Sequence, residues 1–145
     1  MKAMLLHWQF WAVLSATFAA MTAIFAKAGV DQIDPDVATF IRTIIIVIMV
    51  AAILLATGKF QPWPAIPQQT WLFLLLSGCA TGASWLCYFR ALKLGDAARV
   101  APIDKLSVVL VALFATIFLG EHLSGANWIG ILFITGGAIL IAYRG

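Results

Sequence analysis

A chain of 145 residues with 63% hydrophobic and only 10% charged side chains cannot cover a water-facing surface, which in a soluble domain draws on about 25% charged residues. Its formal net charge of +3 does not mark a nucleic-acid binder, because the basic residues are scattered near the ends of apolar stretches and form no patch. The composition is that of an integral membrane protein, where every backbone N–H and C=O in lipid must be paired within the protein and helices are favoured.

Five apolar stretches separated by short polar breaks fill the chain, each near the roughly 20 residues that cross a bilayer as a helix. The expected spans are 8–27, 37–57, 70–92, 97–119 and 126–143. The fold class is therefore an all-α integral membrane protein of five transmembrane helices, read as one domain over 1–145 with no soluble domain.

The first span follows Lys2 and contains small residues, as a secretory signal does. Its apolar run exceeds the usual 7 to 15 residues or so, and four more spans follow, so a retained helix is expected. Ala12, Ala16, Ala19, Ala20 and Ala23 make it thin, and Ser15 and Thr22, two turns apart, share a face. Gly29 and Asp31 end it, and Asp34, Pro35 and Asp36 supply a cap and first-turn residues for the second. Near the start of that second span stands Arg42, one turn beyond Thr39. Arg42 is either a headgroup anchor or a guanidinium that recognises an anionic group.

Residues 58–69, with Pro62, Pro64 and Pro67, cannot continue a helix. In the third span Ser77, Thr81, Ser84 and Tyr88 fall on one face, beside Gly78, Gly82, Trp85 and Phe89. The Gly78 and Gly82 pair is a GxxxG that permits close helix approach, and the hydroxyl stripe suits either a partner helix or a wet cavity. Trp85 and Tyr88 lie inward of the interface where membrane aromatics usually sit, which makes them candidate cavity-lining residues. Cys79 and Cys87 are on one helix about 12 Å apart along its axis, too far for a disulfide. Arg90, near the end of this span, carries the same two readings as Arg42. Lys27 and Lys93 are expected at the interface.

Gly95 and Asp96 stop one helix and start the next, so the third and fourth helices should be antiparallel neighbours. The fourth holds the segment Ala101-Pro102-Ile103-Asp104-Lys105-Leu106-Ser107. With the helix starting near Ala97, Asp104 lies about 10 Å along it, inside the hydrocarbon. A central Asp or Lys costs about 2.5 to 3.5 kcal/mol on the insertion scale, which a dozen apolar residues at about −0.3 to −0.6 each offset. As neighbours on a continuous helix, Asp104 and Lys105 point about 100° apart and are poor partners. Asp104 shares a face with Ser107 and is expected to reach Arg42 or Arg90, either to lock helices or to serve function. Lys105 either snorkels or joins that site. Glu121 helps end the fourth helix.

His7 and His122 fall outside the spans, and HExxH, GxSxG and Gly-rich phosphate-loop motifs are absent from the sequence. No enzyme activity, cofactor or metal is expected. Lys27, Lys93, Arg99 and Arg144, with Arg90 and Lys105 nearby, outweigh Lys2 and Lys59 on the other side. The positive-inside rule then places the amino terminus outside and the carboxyl terminus in the cytoplasm, by a modest margin compatible with insertion both ways.

Several segments together resemble the EamA domain of the drug/metabolite transporter superfamily. Residues 11–27 are similar to its first helix, and Arg42 to the arginine that often opens its second. Tyr88-Phe89-Arg90-Ala91-Leu92 is similar to the end of its third, and Leu119-Gly120-Glu121-His122-Leu123 to the LGExL turn before its last. The resemblance covers nearly the whole chain and implies one half of an inverted-repeat transporter. Many members join two such domains around a central cavity, so an odd number of helices implies an antiparallel homodimer or an oppositely inserted partner subunit. It further implies a prokaryotic inner membrane. It assigns no role to Asp104-Lys105, where many ten-helix members are apolar, and the first-helix glutamate of the small multidrug resistance proteins has no counterpart here.

The expectation is a secondary transporter of a small polar metabolite. Its cavity would be lined by Trp85, Tyr88, Ser84, Ser15 and Thr22, with Arg42, Arg90, Lys105 and Asp104 setting charge selectivity or proton or sodium coupling. A subunit of a lipid-linked sugar flippase and a non-transporting membrane scaffold are the competing readings.

Overall fold

The structure is a computed structural model that describes residues 7–62 and 66–143. Its helices are α1 (Trp8–Val30), α2 (Pro35–Thr57), α3 (Gln68–Leu94), α4 (Ala97–Asp104), α5 (Ser107–Phe118) and α6 (Gly125–Tyr143). Counting Ala97–Phe118 as one stretch, five helices are long and apolar enough to cross a membrane.

The breaks follow from local chemistry. Asp34 caps α2: its carboxylate accepts from the amides of Asp36 at 2.8 Å and Val37 at 3.3 Å, and Pro35 sits where its missing N–H costs nothing. At the other end Gly58 takes a left-handed φ of 63°, and the amides of Lys59 and Gly58 close on the carbonyls of Leu54 and Leu55. That is a Schellman motif, which satisfies carbonyls left over when a helix stops. Gly120, at φ 67°, turns the chain after α5 while the Glu121 amide bonds the Ala115 carbonyl at 3.2 Å. The Ser124 hydroxyl accepts from the Asn127 amide to open α6.

Two predicted boundaries need correction. The first helix runs through Gly29 to Val30, because a lone glycine lowers helix propensity without forbidding helix and the stop comes only at the Asp31–Asp34 turn. The fourth span is two helices rather than one, interrupted at Lys105 and Leu106. Pro102 lies inside α4, removes the N–H that would bond the Ala98 carbonyl and clashes with that carbonyl. The ladder then tightens: the Leu106 amide bonds Ile103 rather than Pro102, and those of Val108 and Val109 bond Lys105 and Leu106.

The chain divides into two compact units. One is Ile24–Leu94, holding the last part of α1 with α2 and α3; the other combines the earlier part of α1 with α4, α5 and α6. In the first, α2 packs along α3, and Ala26, Val30, Ala38, Thr39, Phe89 and Leu92 are buried. In the second, α6 packs against α4 and α5, with Ala112 and Ala138 buried. Most large apolar side chains face outward, among them Ile44, Ile45, Val47 and Ile48 of α2 and Leu72 to Leu76 of α3. Water would not tolerate such a surface, and lipid matches it.

Candidate functional site

In the unit Ile24–Leu94 the helix ends are tied by two lysines that exchange partners. Lys27, in the last turn of α1, donates to the Leu92 carbonyl near the end of α3 at 2.9 Å. Lys93, in the last turn of α3, donates to the Val30 and Asp31 carbonyls at 2.8 and 2.7 Å and to Ile33 at 3.3 Å. Each ammonium thus meets the partial negative charge at the carboxyl end of the other helix. Lys27 also pairs with Asp31 at 3.3 Å. Beyond the interfacial position expected of them, these lysines have a structural role: the carbonyls that end each helix need donors, and the lysines supply them.

Arg90 forms a fork with Asp36, Nε to Oδ1 at 3.1 Å and Nη2 to Oδ2 at 2.7 Å. The two-bond geometry suits a guanidinium and a carboxylate. The expected reach of Asp104 to Arg90 is therefore corrected, since Asp36 in the first turn of α2 occupies that fork. Sequence reasoning gave Asp36 only a helix-starting part. Its signal was available: Asp36 lies nearly as far before the loop 58–69 as Arg90 lies after it, which an antiparallel hairpin brings level.

One and a half turns further along α2, Arg42 places its guanidinium carbon 4.1 Å from the centre of the Trp85 ring and 5.5 Å from that of Phe89. Both lie within the reach of cation–π attraction. Arg42 and Trp85 are half-buried and Phe89 is buried, so this pair of predicted site residues is brought together. Tyr88 is half-buried on the same helix, while Ser84 is exposed. Thr81 spends its hydroxyl on the Ser77 carbonyl at 2.8 Å. Gly78 and Gly82 face open space, since a Cβ at either would meet nothing within 4 Å.

The second cluster is at the α4–α5 junction. Lys105 Nζ lies 3.3 Å from Asp104 Oδ2, so the two neighbours expected to be poor partners do pair. Lys105 keeps a right-handed helical φ of −69°, with ψ −8°, so the two side chains still leave the backbone in different directions and the long lysine stem turns back to make the pair. Asp104 is half-buried and Lys105 exposed. In the same unit, Arg99 donates to the Ala142 carbonyl at 3.1 Å, supplying the end of α6 with a cation. Ser15 is exposed on α1 and Thr22 half-buried, in the part of α1 that belongs to this unit.

These two clusters, a guanidinium over aromatic rings and an acid–base pair at a broken span, are arrangements that can bind and release charged solutes. A family described as EamA-like transporters matches residues 6–143. A Sinorhizobium protein named as an uncharacterized transporter in the cobO 3' region is 65% identical over 93% of this chain and 96% of its own length. The uncharacterized transporter YxxF of Bacillus subtilis is 28% identical over 92% of this chain but only 42% of its own length. No solved structure matches significantly. The chain accordingly belongs to the EamA-like transporter family, as a membrane protein with five apolar spans.

Proposed function

We propose that the protein is a secondary transporter of a small polar metabolite in a prokaryotic inner membrane, working by alternating access with Asp104 as its coupling group. The observation that carries this reading is the interruption of the fourth span at Lys105–Leu106, beside the Asp104–Lys105 pair. A break 8 residues into a 22-residue span lies about 12 Å along it, close to the bilayer midplane. Transporters place substrate and coupling-ion sites at such discontinuous helices. A carboxylate there is costly unless neutralised, and a proton, a sodium ion or Lys105 can each neutralise it, which is the exchange that coupling requires.

The working unit in this reading is an antiparallel homodimer. Five spans and the match to 42% of the longer Bacillus relative leave room in that relative for a second unit of the same size. The open face at Gly78 and Gly82 offers close approach to another helix. The test is uptake by purified protein in liposomes under an imposed proton or sodium gradient. Asp104→Asn is expected to abolish gradient-driven accumulation while the protein stays folded. Accumulation at the wild-type rate by that variant removes Asp104 from coupling.

A further inference from the structure

We propose that Arg42, backed by Trp85 and Phe89, is an oxyanion-binding point, and that the transported metabolite is a carboxylate monoanion. The inference rests on the transporter reading for the word "transported", but binding at Arg42 stands on its own geometry.

A guanidinium has two kinds of surface. Its flat faces stack on aromatic rings, and its edge carries five N–H donors in a fork that fits an oxyanion. At Arg42 the guanidinium carbon lies 4.1 Å from the centre of the Trp85 ring and 5.5 Å from that of Phe89. Among the described residues no hydrogen bond or ion pair uses the Arg42 donors. Among the described residues no carboxylate pairs with Arg42. The Asp36 carboxylate on the same helix is held by both donors of Arg90. The nearby threonine hydroxyls are turned to backbone, Thr39 to the Pro35 carbonyl and Thr43 to the Thr39 carbonyl, each at 2.8 Å, while Tyr88 is near enough to Arg42 to act on it electrostatically. The neighbouring cations of this unit are also accounted for, Lys27 and Lys93 by helix-end carbonyls and Arg90 by Asp36.

Depth separates this arrangement from a headgroup anchor. Arg42 is seven residues past Pro35, about 10 Å along α2. An anchoring arginine would extend toward the helix end, to the level of Asp36 and Arg90. Instead the guanidinium lies over Trp85, which the Asp36–Arg90 pair brings level with Arg42 in the antiparallel α2–α3 hairpin. A cation held at that depth without a counter-ion is costly, and the rings offset part of the cost. An arriving monoanion offsets the rest, whereas a neutral amide of the same shape does not. The aromatic backing favours a carboxylate with an apolar body, and the single unpaired guanidinium favours one negative charge.

The test is equilibrium binding without a gradient, so that it succeeds or fails independently of the coupling role of Asp104. Purified protein in neutral detergent is titrated with acetate, lactate, hexanoate and benzoate at millimolar concentration, each beside its amide, and with phosphatidylglycerol. Melting temperature and tryptophan fluorescence are read. The expected result is that at least one carboxylate raises the melting temperature and quenches fluorescence, with its amide silent. Arg42→Lys, which keeps the charge but loses the fork, should weaken binding at least tenfold. Trp85→Phe should remove most of the quench while retaining the stabilisation. Arg42→Gln should lose the response, and Arg42→Lys covers the case in which Arg42→Gln does not fold. Equal responses to acid and amide, silence to all four acids, an undiminished response in Arg42→Lys, or stabilisation by phosphatidylglycerol alone would each overturn the proposal.

Discussion

The unit Ile24–Leu94 and the α4–α5 junction both carry charges in or beside apolar spans but use them differently. In the former, Lys27 and Lys93 end on backbone carbonyls of each other's helices and Arg90 ends on Asp36. In the latter, among the described residues, Asp104 and Lys105 pair only with each other, as sequence neighbours at 3.3 Å. A charge that satisfies a helix end is structural, because removing it strands carbonyls that nothing else reaches. A charge whose partner is its own neighbour at a break ties no two elements together, and its retention in a lipid-facing chain calls for another reason. The type of partner, rather than the presence of charge, separates scaffold from machinery.

The comparison can be broken most severely at Pro102. Pro102→Ala restores an N–H to the Ala98 carbonyl, and the propensity difference between Pro and Ala in a helix interior is about 3 kcal/mol. The expected outcome is a straightened fourth span, a raised melting temperature, and gradient-driven uptake reduced at least tenfold because the discontinuity beside Asp104 and Lys105 is lost. Both readouts are needed. A more stable protein that transports normally would show that the break is incidental.

The fold was largely legible before the structure, and the reason is physical. Lipid forces backbone pairing into helices, so hydropathy and turn residues suffice to find spans; Asp34 and Gly58 act at the boundaries where the sequence pointed. The broken span was not found, since Asp104 and Lys105 were placed on an ideal helix in which Pro102 had no consequence. Of the candidate site, the proximity of Arg42 to Trp85 depends on hairpin register, which single-helix periodicity does not supply. The lysine exchange was missed for the same reason.

A middle-sized effect is expected from a pair of matched substitutions. Lys93→Met keeps the apolar stem but removes the ammonium that bonds three carbonyls. Hydrogen bonds to charged groups contribute about 1.5 to 3 kcal/mol when buried, and partial exposure of this one reduces the net loss to about 2 kcal/mol. The melting temperature should fall by several degrees while uptake per folded molecule is unchanged. Lys105→Met should do the reverse, with little change in melting and altered uptake. Two variants with the same profile would erase the distinction between the regions.

The smallest effect is expected at the Asp36–Arg90 fork. Its side chains are 48% and 60% exposed, so its attraction is screened and its two long groups lose rotamer freedom on pairing. Asp36→Asn should lower the melting temperature slightly, and added salt should narrow the gap to the wild type. The informative variant is the exchange, Asp36→Arg with Arg90→Asp. It restores opposite charges across the hairpin but puts a cation in the first turn of α2 and an anion in the last turns of α3, both against the helix dipoles. The exchanged protein should therefore melt above the sum of its two single variants yet below the wild type. A deficit equal to that sum would mean that the two residues act on their own helix ends without meeting, and the register that sets Arg42 beside Trp85 would lose its independent support.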